Sequence, residues 1–511
     1  MTKRTNILAC ILSGVLLLSV FPKFSLHYLA WISLIPLLWC IKRNHTTTSS
    51  CFFLGWLTGV IFFVGLLYWL INTITHFGNI HILLSIPIFL LLCLYLGSYI
   101  GIFAALVQHL RKYKIPICIS APVIWTSFEF IRGHLLSGFP WGSLGYSQSC
   151  HLSMIQSADI IGVYGLSFII LLVNCCIFEI GDIYLIPNND GRTRKTLSYA
   201  LIIVLLLGGL FIYGNYRIKE TLSINSHEQK ITIGLIQPNI RQEDKLKIST
   251  AYTILEILKG LSIEACSDND VDIIVWPETA YTSYFYPLHD PIYSAISKIA
   301  KEIPIHLLTG AAQIKYTKNG IMAYNSAIYF NSEGELLTIY NKMHLVPFGE
   351  YFPLPFIKKI LHFASDISPG SQFTQFNIHD HSFGVVICFE AIFPSLCRQF
   401  VLNGTQFLIN ITNDAWFGNT AAPYQHFQMI LFRAIENRTW LMRAANTGIS
   451  AIISPIGKVM TQSGIFTQEI VKGHCAVSDI RSFYTLHGDI FSVLCLMTAI
   501  ILLCMPPVFL K

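Results

Sequence analysis

Long apolar segments constrain this chain more than any other feature of its sequence. Seven runs rich in Leu, Ile, Val and Phe lie before residue 222, and an eighth lies near residue 500. About 20 consecutive apolar residues cross a bilayer as a helix, and several runs approach that length. Only 12% of the residues are charged, against about 25% in soluble domains, so we predict a multi-pass α-helical membrane domain. The predicted spans are Ile7–Phe21, Tyr28–Ile41, Phe52–Ile71, Ile82–Val107, Ile115–Phe130, Ile160–Ile180, Leu197–Tyr213 and Ile490–Leu510.

Basic residues are distributed unevenly between these spans. Every second gap carries a pair or triplet of Lys and Arg, whereas the intervening gaps hold one or none. Because short cytoplasmic loops carry an excess of Lys and Arg, we expect the basic gaps to face the cytoplasm. Both termini are then cytoplasmic, and residues from about 215 to 488 lie outside. The basic groups are Lys3/Arg4, Lys42/Arg43, Arg111/Lys112/Lys114 and Arg192/Arg194/Lys195.

From Lys230 to about Ile480 the composition is that of a soluble domain, and Ser223–Lys230 is predicted to be a polar linker. Short apolar strands alternate there with helical patterns, which indicates an α/β sheet covered by helices. The predicted strands are Ile231–Ile236, Val271–Trp276, Ile305–Leu308, Ser326–Phe330, Glu335–Tyr340, Phe383–Ile387, Gln406–Ile411 and Ile449–Ser454. The predicted helices are Ser249–Cys266, Pro291–Glu302, Pro394–Asn403 and Tyr424–Ala444.

One predicted strand ends at a cysteine, Cys388. The preceding Phe383–Ile387 is apolar and rich in β-branched residues, as buried strands are. A side chain at a strand end is held rigidly and can face a cleft. Free cysteine is also common as a small, inert core residue, so this stretch alone leaves both roles open.

Two other predicted strand ends carry complementary chemistry. Glu278 follows Val271–Trp276 directly after Pro277, and Lys342 follows Glu335–Tyr340. A thiol nucleophile, a carboxylate that accepts its proton and an ammonium that stabilises negative charge suffice for acyl transfer. Taken singly, Glu278 fits a carboxylate bonded to backbone amides, and Lys342 fits a solvated loop charge. Taken together with the cysteine, they predict a catalytic site.

These motifs resemble the Glu-Lys-Cys triad of the nitrilase (carbon–nitrogen hydrolase) superfamily. Glu278 stands in Trp-Pro-Glu, Lys342 in Asn-Lys-Met-His and Cys388 in Cys-Phe-Glu, in the superfamily's order. Together with the apolar spans, the whole chain resembles the apolipoprotein N-acyltransferase family. The resemblance implies a nitrilase-like α-β-β-α sandwich.

The resemblance also implies a division of the chain into three parts. Residues 1–222 are expected to form the membrane domain with seven transmembrane helices. Residues 223–480 are expected to form the extracytoplasmic catalytic domain. Residues 488–511 are expected to form an eighth transmembrane helix.

Two further glutamates match family positions near the triad. Glu350, in Pro-Phe-Gly-Glu-Tyr, resembles the second glutamate of these enzymes, and a salt bridge to Lys358 is its structural alternative. Glu390 is expected to orient Lys342. If strand geometry continues past Cys388, Glu390 points the same way as the cysteine.

Three positions bear on the oxyanion and on the donor network. Phe389 stands where relatives often have tyrosine, so only its backbone N–H is expected to serve the oxyanion. Asn325, in Tyr-Asn-Ser, matches a site position, although buried Asn often merely satisfies backbone groups. Leu246 lies where the family commonly has tryptophan, so no role of that ring is carried over.

Substrate contacts are expected after the next strand. The segment Asn413–Gly418 looks like the family's Asn-Asp-x-Trp-Phe segment, and Trp416 and Phe417 are expected to line an acyl pocket. The alternative is a turn in which Asp414 caps a helix. Arg443, expected on the following helix, resembles a position near the site. Its alternatives are a solvated or a sheet-capping role.

Apolar loops are expected to exclude water and to admit lipid tails. The candidates are Tyr281–Leu288 and the amphipathic Pro353–Phe363, whose alternative is an ordinary surface helix. The outer loop Trp125–Gln148 contains Glu129 and Arg132, which are three residues apart and able to pair. An interfacial aromatic belt is the structural alternative for this loop.

The cysteines indicate neither a metal site nor a disulfide framework. The 14 cysteines include no C-x2-C pair and no His/Cys cluster at metal-ligand spacing. We therefore expect no metal and no cofactor. The net charge of +6 is modest and does not indicate nucleic-acid binding.

The resemblance supplies the reaction and the partners. An acyl chain from a phospholipid, typically phosphatidylethanolamine, is expected to pass through a Cys388 thioester to the α-amino group of a diacylglyceryl-cysteine at a lipoprotein N-terminus. This is the last step of lipoprotein maturation in a bacterial inner membrane. One rival is a membrane-tethered amidase that hydrolyses a small amide. The other is a transporter, which the scarcity of ionisable residues inside the spans disfavours.

Overall fold

The structure is a computed structural model in which the chain forms two compact units. One unit comprises Met1–Ile218 with His487–Lys511, and the other comprises Lys219–Leu486. The residues that the structure describes are 3–43, 47–185, 191–225, 229–245, 247–268, 270–281, 284–285, 291–317, 320–353, 367–477 and 479–504.

The first unit consists of helices. Among the described residues, nine helices, α1 to α9, begin before the second unit in the chain, and the C-terminal helix Ile490–Cys504 comes after it. The nine helices are α1 Lys3–Ser19, α2 Ile35–Arg43, α3 Thr48–Leu66, α4 Leu70–Asn72, α5 Ile82–Arg111, α6 Ile117–His134, α7 Leu152–Ile155, α8 Ala158–Leu185 and α9 Arg192–Asn225. Single 3-10 or π turns lie between them at His27–Trp31, Thr73–Phe77, Leu135–Ser137 and Leu144–Gln148.

Each of the eight predicted spans contains a helical segment within the residues that the structure describes. In the described part of the chain, four helices (α3, α5, α8 and α9) are long and apolar enough to cross a membrane, judged by length and composition. Shorter apolar helices at Arg4–Ser19, His27–Lys42 and Ile490–Cys504 match three more of the predicted spans. The remaining span falls on α6, an 18-residue helix that carries Glu129 and Arg132.

Helices α3 and α5 approach each other through glycines. A side chain at Gly59 would place its Cβ 2.8 Å from the Cα of Gly97, closer than real contacts allow. Gly55 and Gly101 lie four residues away on the same two helices, and a Cβ at Gly55 would meet the carbonyl oxygen of Ile100 at 2.5 Å. Small residues at this spacing let backbones pack closely, which is a common basis of helix association in membranes.

The buried side chains of Glu129 and Arg132 form hydrogen bonds to the loop that follows α6. Glu129 Oε1 accepts hydrogen bonds from Trp125 Nε1 at 2.9 Å and from the backbone N–H of Leu144 at 2.8 Å. Arg132 Nη1 donates to the carbonyl oxygen of Phe139 at 3.0 Å. Both side chains thus bond to the loop or to their own helix rather than forming the simple pair that their spacing suggested.

In the second unit, the described residues form thirteen strands in two sheets. The strands are β1 Lys230–Gln237, β2 Ile273–Val275, β3 Tyr284–Phe285, β4 His306–Thr317, β5 Gly320–Phe330, β6 Leu336–Asn341, β7 Gln375–Ile378, β8 His381–Ile387, β9 Phe407–Thr412, β10 Trp440–Ala445, β11 Ala451–Ile453, β12 Val459–Gln462 and β13 Glu469–Ala476. The first sheet has the order β13-β1-β2-β4-β5-β6, with β3 paired to β4. The second sheet has the order β12-β11-β10-β9-β8-β7.

The helices of this unit cover the outer faces of the two sheets. They are α10 Gln242–Lys245, α11 Ala251–Ala265, α12 Pro291–Glu302, α13 Pro394–Leu402, α14 Ala422–Asn437 and α15 Phe483–His487. Apolar residues of α11 and α12 pack against the first sheet. One larger cluster joins the inner faces of both sheets and also includes residues of α13 and α14. The layers therefore follow the predicted α-β-β-α order.

All eight predicted strands are present, but one predicted helix and the predicted linker have the wrong bounds. The helix predicted over Tyr424–Ala444 ends at Asn437, because Arg438 adopts a left-handed conformation at φ 52°. The chain then forms β10, which pairs in parallel with β9. The predicted polar linker is also wrong at its start, because α9 continues to Asn225.

Strand directions bring the predicted site residues of the first sheet to one edge. β2 and β4 are parallel, and β5 is antiparallel to both β4 and β6, so β2, β4 and β6 run in the same direction. Glu278 follows β2 and Lys342 follows β6, and both therefore leave the sheet at its carboxyl edge.

Candidate active site

Cys388 lies at a strained turn between β8 and a 3-10 helix. Its φ is +52°, a conformation that residues other than glycine rarely adopt. The 3-10 helix Cys388–Ile392 begins at the cysteine itself, and the thiol-bearing residue stays partly exposed while the strand before it is buried. Strain of this kind is often found at functional sites, where the surrounding structure holds it in place.

Glu278 is buried beside this turn, and both of its carboxylate oxygens accept hydrogen bonds. Asn325 Nδ2 donates to Oε1 at 2.7 Å, and the backbone N–H of Asn413 donates to Oε2 at 2.9 Å. The negative charge of Glu278 also acts on the Cys388 thiol, whose pKa it raises. Gly310 leaves room for the turn, because a Cβ there would lie 2.6 Å from the Cα of Glu278.

Lys342 is 1% exposed, and its ammonium lies between two carboxylates. Its Nζ donates to Glu350 Oε1 at 2.9 Å and lies 3.7 Å from Glu278 Oε1. Asn325 Nδ2 also donates to Glu350, at 2.9 Å. Thus the structure brings together Glu278, Lys342, Glu350 and Asn325. The Lys342 ammonium therefore supplies the positive charge between the carboxylates of Glu278 and Glu350.

The electrostatics favour a neutral thiol beside a carboxylate. Burial raises the pKa of Cys388, and the negative charge of Glu278 raises it further, although Lys342 opposes both. Burial also raises the pKa of Glu278, an effect that Lys342 partly offsets. Burial alone would lower the pKa of Lys342, but Glu350 and Glu278 outweigh it and keep the pKa above its usual value. The thiol therefore needs a general base in order to react.

Glu390 is fully buried, and its carboxylate accepts backbone hydrogen bonds from two separate segments of the chain. Strand geometry ends at Cys388, where a 3-10 helix begins, so the condition under which Glu390 was expected to point the same way as the cysteine is not met. Its Oε2 accepts the backbone N–H of Ile387 at 2.7 Å. Its Oε1 accepts the N–H groups of Met343 and His344 at 2.7 and 3.0 Å. One buried carboxylate therefore links the cysteine turn to the turn that follows Lys342.

The neighbouring aromatic residues lie on two short 3-10 helices. Phe389 packs against the rings of His344 and Phe393, at centroid distances of 5.9 and 5.0 Å. Trp416 and Phe417 belong to the turn Asp414–Phe417 and are partly exposed. Partial exposure suits the substrate contacts that were expected of them.

That second turn is capped by Asn413 and not by Asp414. The Asn413 side chain accepts the N–H of Ala415 at 3.4 Å. Asp414 is fully buried and is bonded to Arg443 Nη2 at 2.6 Å and to His426 Nδ1 at 3.1 Å. Burial alone would raise the pKa of Asp414, but Arg443 and His426 outweigh it and hold that pKa below its usual range.

Arg443 lies on β10 and is fully buried, so the expected helical position and the solvated alternative are both wrong. Its Nε donates to the carbonyl oxygen of Ile449 at 3.0 Å, and its Nη1 donates to Asn410 Oδ1 at 2.6 Å. Since its other contacts are with Asp414 and His426, its guanidinium is committed to the protein interior. We therefore propose that Arg443 positions the loop of Trp416 rather than binding substrate.

Sequence reasoning missed two contacts of Glu278. Lys245 is 5% exposed, and its Nζ donates to the backbone carbonyl oxygen of Glu278 at 3.2 Å. Burial lowers the pKa of Lys245 to about 7, with Glu278 acting in the opposite direction. The backbone N–H of Asn413 is the other contact. The family-like Asn-Asp-x-Trp-Phe segment pointed to Asn413, but nothing in the sequence distinguishes Lys245 from an exposed lysine.

Some expectations fall outside the residues that the structure describes. These are the position of Leu246, the salt bridge of Glu350 to Lys358, most of Pro353–Phe363 and much of Tyr281–Leu288.

Two family models match separate parts of the chain. Residues 13–176 match the apolipoprotein N-acyltransferase N-terminal domain, and residues 232–485 match the carbon-nitrogen hydrolase domain. The helical and α/β units thus each have a family counterpart.

Several relatives are similar over nearly the whole chain. An apolipoprotein N-acyltransferase of Geobacter metallireducens is 38% identical over 497 residues, covering 96% of this chain and 93% of that protein. The one of Haemophilus influenzae is 32% identical over 501 residues, covering 96% of this chain and 92% of that protein. Among solved structures, Saccharomyces cerevisiae Nit3, of the nitrilase superfamily, aligns at 22% identity with a TM-score of 0.40, covering 48% of this chain and 90% of that chain. On the full-length relatives and the two family models, this chain belongs to the apolipoprotein N-acyltransferase family.

Proposed function

We propose that this protein moves an acyl chain from a phospholipid of the phosphatidylethanolamine type to a lipoprotein. The acceptor is the α-amino group of the N-terminal S-diacylglyceryl-cysteine. The reaction has two half-reactions, and between them the acyl chain is bound to Cys388 as a thioester. The single observation that carries this proposal is family membership across 96% of the chain. The convergence of a strained cysteine, a buried glutamate and a buried lysine supplies the chemistry.

In the first half-reaction Cys388 attacks the ester carbonyl of the phospholipid. Glu278 takes the thiol proton as the S–C bond forms, because the thiol's raised pKa leaves little thiolate at neutral pH. The ester C–O bond then breaks, and the proton passes from Glu278 to the leaving oxygen. The lysophospholipid departs and the acyl group remains on sulfur.

In the second half-reaction the lipoprotein amine attacks the thioester. Glu278 accepts a proton from the amine, the C–S bond breaks, and the proton returns to the Cys388 sulfur. The products are an amide on the lipoprotein and the free thiol. Atoms and charges balance without a metal, a nucleotide or a redox partner. Glu278 is the base in both halves, and the mechanism is ping-pong because the lysophospholipid leaves before the lipoprotein amine attacks the acyl-enzyme.

The tetrahedral intermediate of each half carries negative charge on the former carbonyl oxygen. Lys342 is proposed to stabilise this charge, assisted by the backbone N–H of Phe389, which follows the nucleophile. Glu350 and Asn325 hold Lys342 and Glu278 at their present separation. Fixed donors of this kind need no reorganisation when the charge develops, which is the source of their catalytic effect.

The proposed location is a bacterial inner membrane. The protein is an acyltransferase with several apolar helices long enough to span a bilayer. Basic residues in alternate gaps support cytoplasmic termini and a catalytic unit on the periplasmic side. On this topology residues 1–222 and 488–511 form the membrane domain and residues 223–480 the catalytic domain.

The rival functions fit less well. A tethered amidase uses the same three groups with water as the acceptor, but the curated relatives that span the whole chain are acyltransferases. A transporter requires no nucleophile at a strained turn and no α/β unit of this size.

Trapping of the acyl-enzyme tests the proposal. Detergent-solubilised full-length protein is incubated with labelled phosphatidylethanolamine in the absence of lipoprotein, and intact mass is measured before and after hydroxylamine treatment. We expect one hydroxylamine-sensitive acyl group, which a diacylated lipopeptide then discharges. We expect Cys388→Ala to abolish the label and Glu278→Gln to slow its formation by about 100-fold or more, as general-base loss does.

The matched control is Cys504→Ala, because Cys504 is exposed and lies in the C-terminal helix. This variant should label like the parent. A label that persists in Cys388→Ala contradicts the assigned nucleophile. Turnover of a small amide without any acyl-enzyme from phospholipid contradicts the transferase itself.

A further inference from the structure

Two histidines and a cysteine meet in the helical unit, well away in sequence from the proposed catalytic residues. They are His27, in the 3-10 turn between α1 and α2, and Cys150 and His151, just before α7. One ligand atom from each lies within 4.8 Å of the other two. The two imidazole rings are 4.4 Å apart and nearly perpendicular. The sequence contains no His/Cys cluster at metal-ligand spacing, but spacing along the chain cannot reveal side chains that come together only in the folded structure.

The hydrogen bonds of His27 select the tautomer that binds a metal. Its Nδ1 lies 3.1 Å from the carbonyl oxygen of Ser25, an acceptor, so Nδ1 carries the proton. Its Nε2 then presents a lone pair, and among the described residues this buried atom has no hydrogen-bond partner. A metal-bound histidine usually donates its second ring N–H to a backbone carbonyl or a carboxylate, as His27 does here.

The other two groups supply a second nitrogen and an accessible sulfur. The His151 imidazole supplies the second nitrogen, on a residue that is only partly buried. Cys150 is exposed, which gives an ion a route to the site and leaves room for a water ligand. The backbone between them is already fixed, because Gln148 Nε2 donates to the carbonyl oxygen of His27 at 3.1 Å.

We propose that His27, Cys150 and His151 form a binding site for a divalent transition metal of the zinc class. Two imidazoles and one thiolate are a donor set that zinc favours, whereas magnesium and calcium prefer oxygen ligands. Bonds of about 2.0–2.3 Å to one ion place the ligand atoms roughly 3.5 Å apart. Since the atoms already lie within 4.8 Å of one another, rotation of the exposed Cys150 side chain closes the site.

Such an ion has a structural consequence. It cross-links the turn between α1 and α2 to the segment before α7, which are far apart in the chain. Because the site exists only in the folded unit, metal binding stabilises that unit by mass action. The catalytic mechanism does not depend on it.

Cobalt spectroscopy tests the site, because Co2+ replaces Zn2+ and reports its ligands by colour. Untagged, chelator-treated full-length protein in detergent is titrated with Co2+ and then with Zn2+. We expect a thiolate-to-cobalt charge-transfer band and tetrahedral d–d bands that saturate at one ion per chain and are abolished by Zn2+. We expect Cys150→Ser to remove the charge-transfer band and His27→Ala to weaken binding at least about 10-fold.

Cys504→Ser is the matched control, since Cys504 is the other exposed cysteine in the part of the chain that the structure describes. It should leave both bands unchanged. A second readout is thermal unfolding, in which Zn2+ should raise the midpoint of the parent but not of Cys150→Ser. The absence of a thiolate band in the parent, or a band that survives Cys150→Ser, overturns the proposal. A band and a midpoint shift that both require Cys150 and His27 support it.

Discussion

At the scale of single residues, the behaviour of the site depends on the charges around Glu278. Its carboxylate lies 3.7 Å from the Lys342 ammonium and is bonded to Asn325 and to the backbone of Asn413. A second buried lysine, Lys245, holds the Glu278 carbonyl oxygen. Burial raises the pKa of Glu278 and Lys342 lowers it. The attraction between Lys245 and Glu278 favours the charged forms of both groups. A small change in either lysine therefore changes the fraction of Glu278 that is ready to act as a base.

The first prediction concerns Lys245→Met, which removes a positive charge near Glu278 and keeps a similar side-chain length. Glu278 must be ionised to accept a proton, so the rate of acyl-enzyme formation falls as pH drops through its pKa. Loss of the Lys245 charge destabilises the carboxylate and raises that pKa further. We expect the acid limb of the pH–rate profile to move to higher pH, measured by quenched-flow mass spectrometry.

The control for this shift is Lys298→Met, because Lys298 is an exposed residue of α12 that pairs with Glu302. This variant should keep the parental profile. An acid limb that stays in place in Lys245→Met, with only a uniform loss of rate, means that the lysine supports the fold without tuning the base.

At the scale of elements, strand ends and the turns after them build the site. β8 ends in the strained cysteine turn, β2 ends before the Glu278 turn, and β6 ends before Lys342. The Glu278 turn rests directly on Gly310 of β4, whose backbone N–H donates to the Pro277 carbonyl oxygen at 3.2 Å. The close contact between the Glu278 turn and β4 fixes the position of the Glu278 carboxylate relative to the sheet.

The second prediction is that Gly310→Ala impairs catalysis without removing any reactive group. The added Cβ would lie 2.6 Å from both the Cα of Glu278 and the carbonyl oxygen of Pro277, so the turn must move. A displacement of about 1 Å at a reacting group costs roughly 100-fold in rate. We expect a loss of that order in acyl-enzyme formation, with the thioester still forming on Cys388.

Gly260→Ala provides the comparison, since Gly260 lies in α11 and a Cβ there meets nothing within 4 Å. Alanine is the better helix former, so this variant should be active and equally or more stable. If Gly310→Ala forms the acyl-enzyme at the parental rate, catalysis does not depend on the present position of the Glu278 turn.

At the scale of the whole molecule, the α/β unit is inserted into the sequence of the helical unit. The chain enters it from α9 and leaves it towards the C-terminal helix. Since both flanking helices are apolar, the orientation of the whole chain decides on which side of the membrane the catalytic unit works. Basic residues in alternate gaps are the physical basis of that choice.

The third prediction is therefore that the basic gaps between the apolar helices face the cytoplasm and that the α/β unit faces the periplasm. Reporter fusions that end after Lys112 or after Arg194 should be active with a cytoplasmic reporter such as a fluorescent protein. Fusions that end after Gly145 or within β13 should be active with a periplasmic reporter such as alkaline phosphatase. Removal of the three basic residues at 111, 112 and 114 should weaken this pattern. The reverse pattern of reporter activities contradicts the assigned orientation.

Much of the architecture followed from local sequence patterns. Apolar runs marked every helical segment that corresponds to a predicted span, and short β-branched runs marked eight of the thirteen strands. These signals work because burial along one segment leaves its own periodicity in the sequence. For the same reason Glu278, Lys342 and Cys388 could be placed at strand ends before any contact between them was known.

The tertiary structure alone decided what those residues touch. Whether Glu390 faces the cysteine or the core depends on where strand geometry stops, and the left-handed turn at Cys388 stops it. Arg443 became buried because β10 pairs with β9, although its sequence suits a helix. The proximity of Lys245 to Glu278, like that of His27 to Cys150, joins segments that are distant in the chain. Such contacts leave no periodic trace in the sequence, because they depend on how separate elements pack.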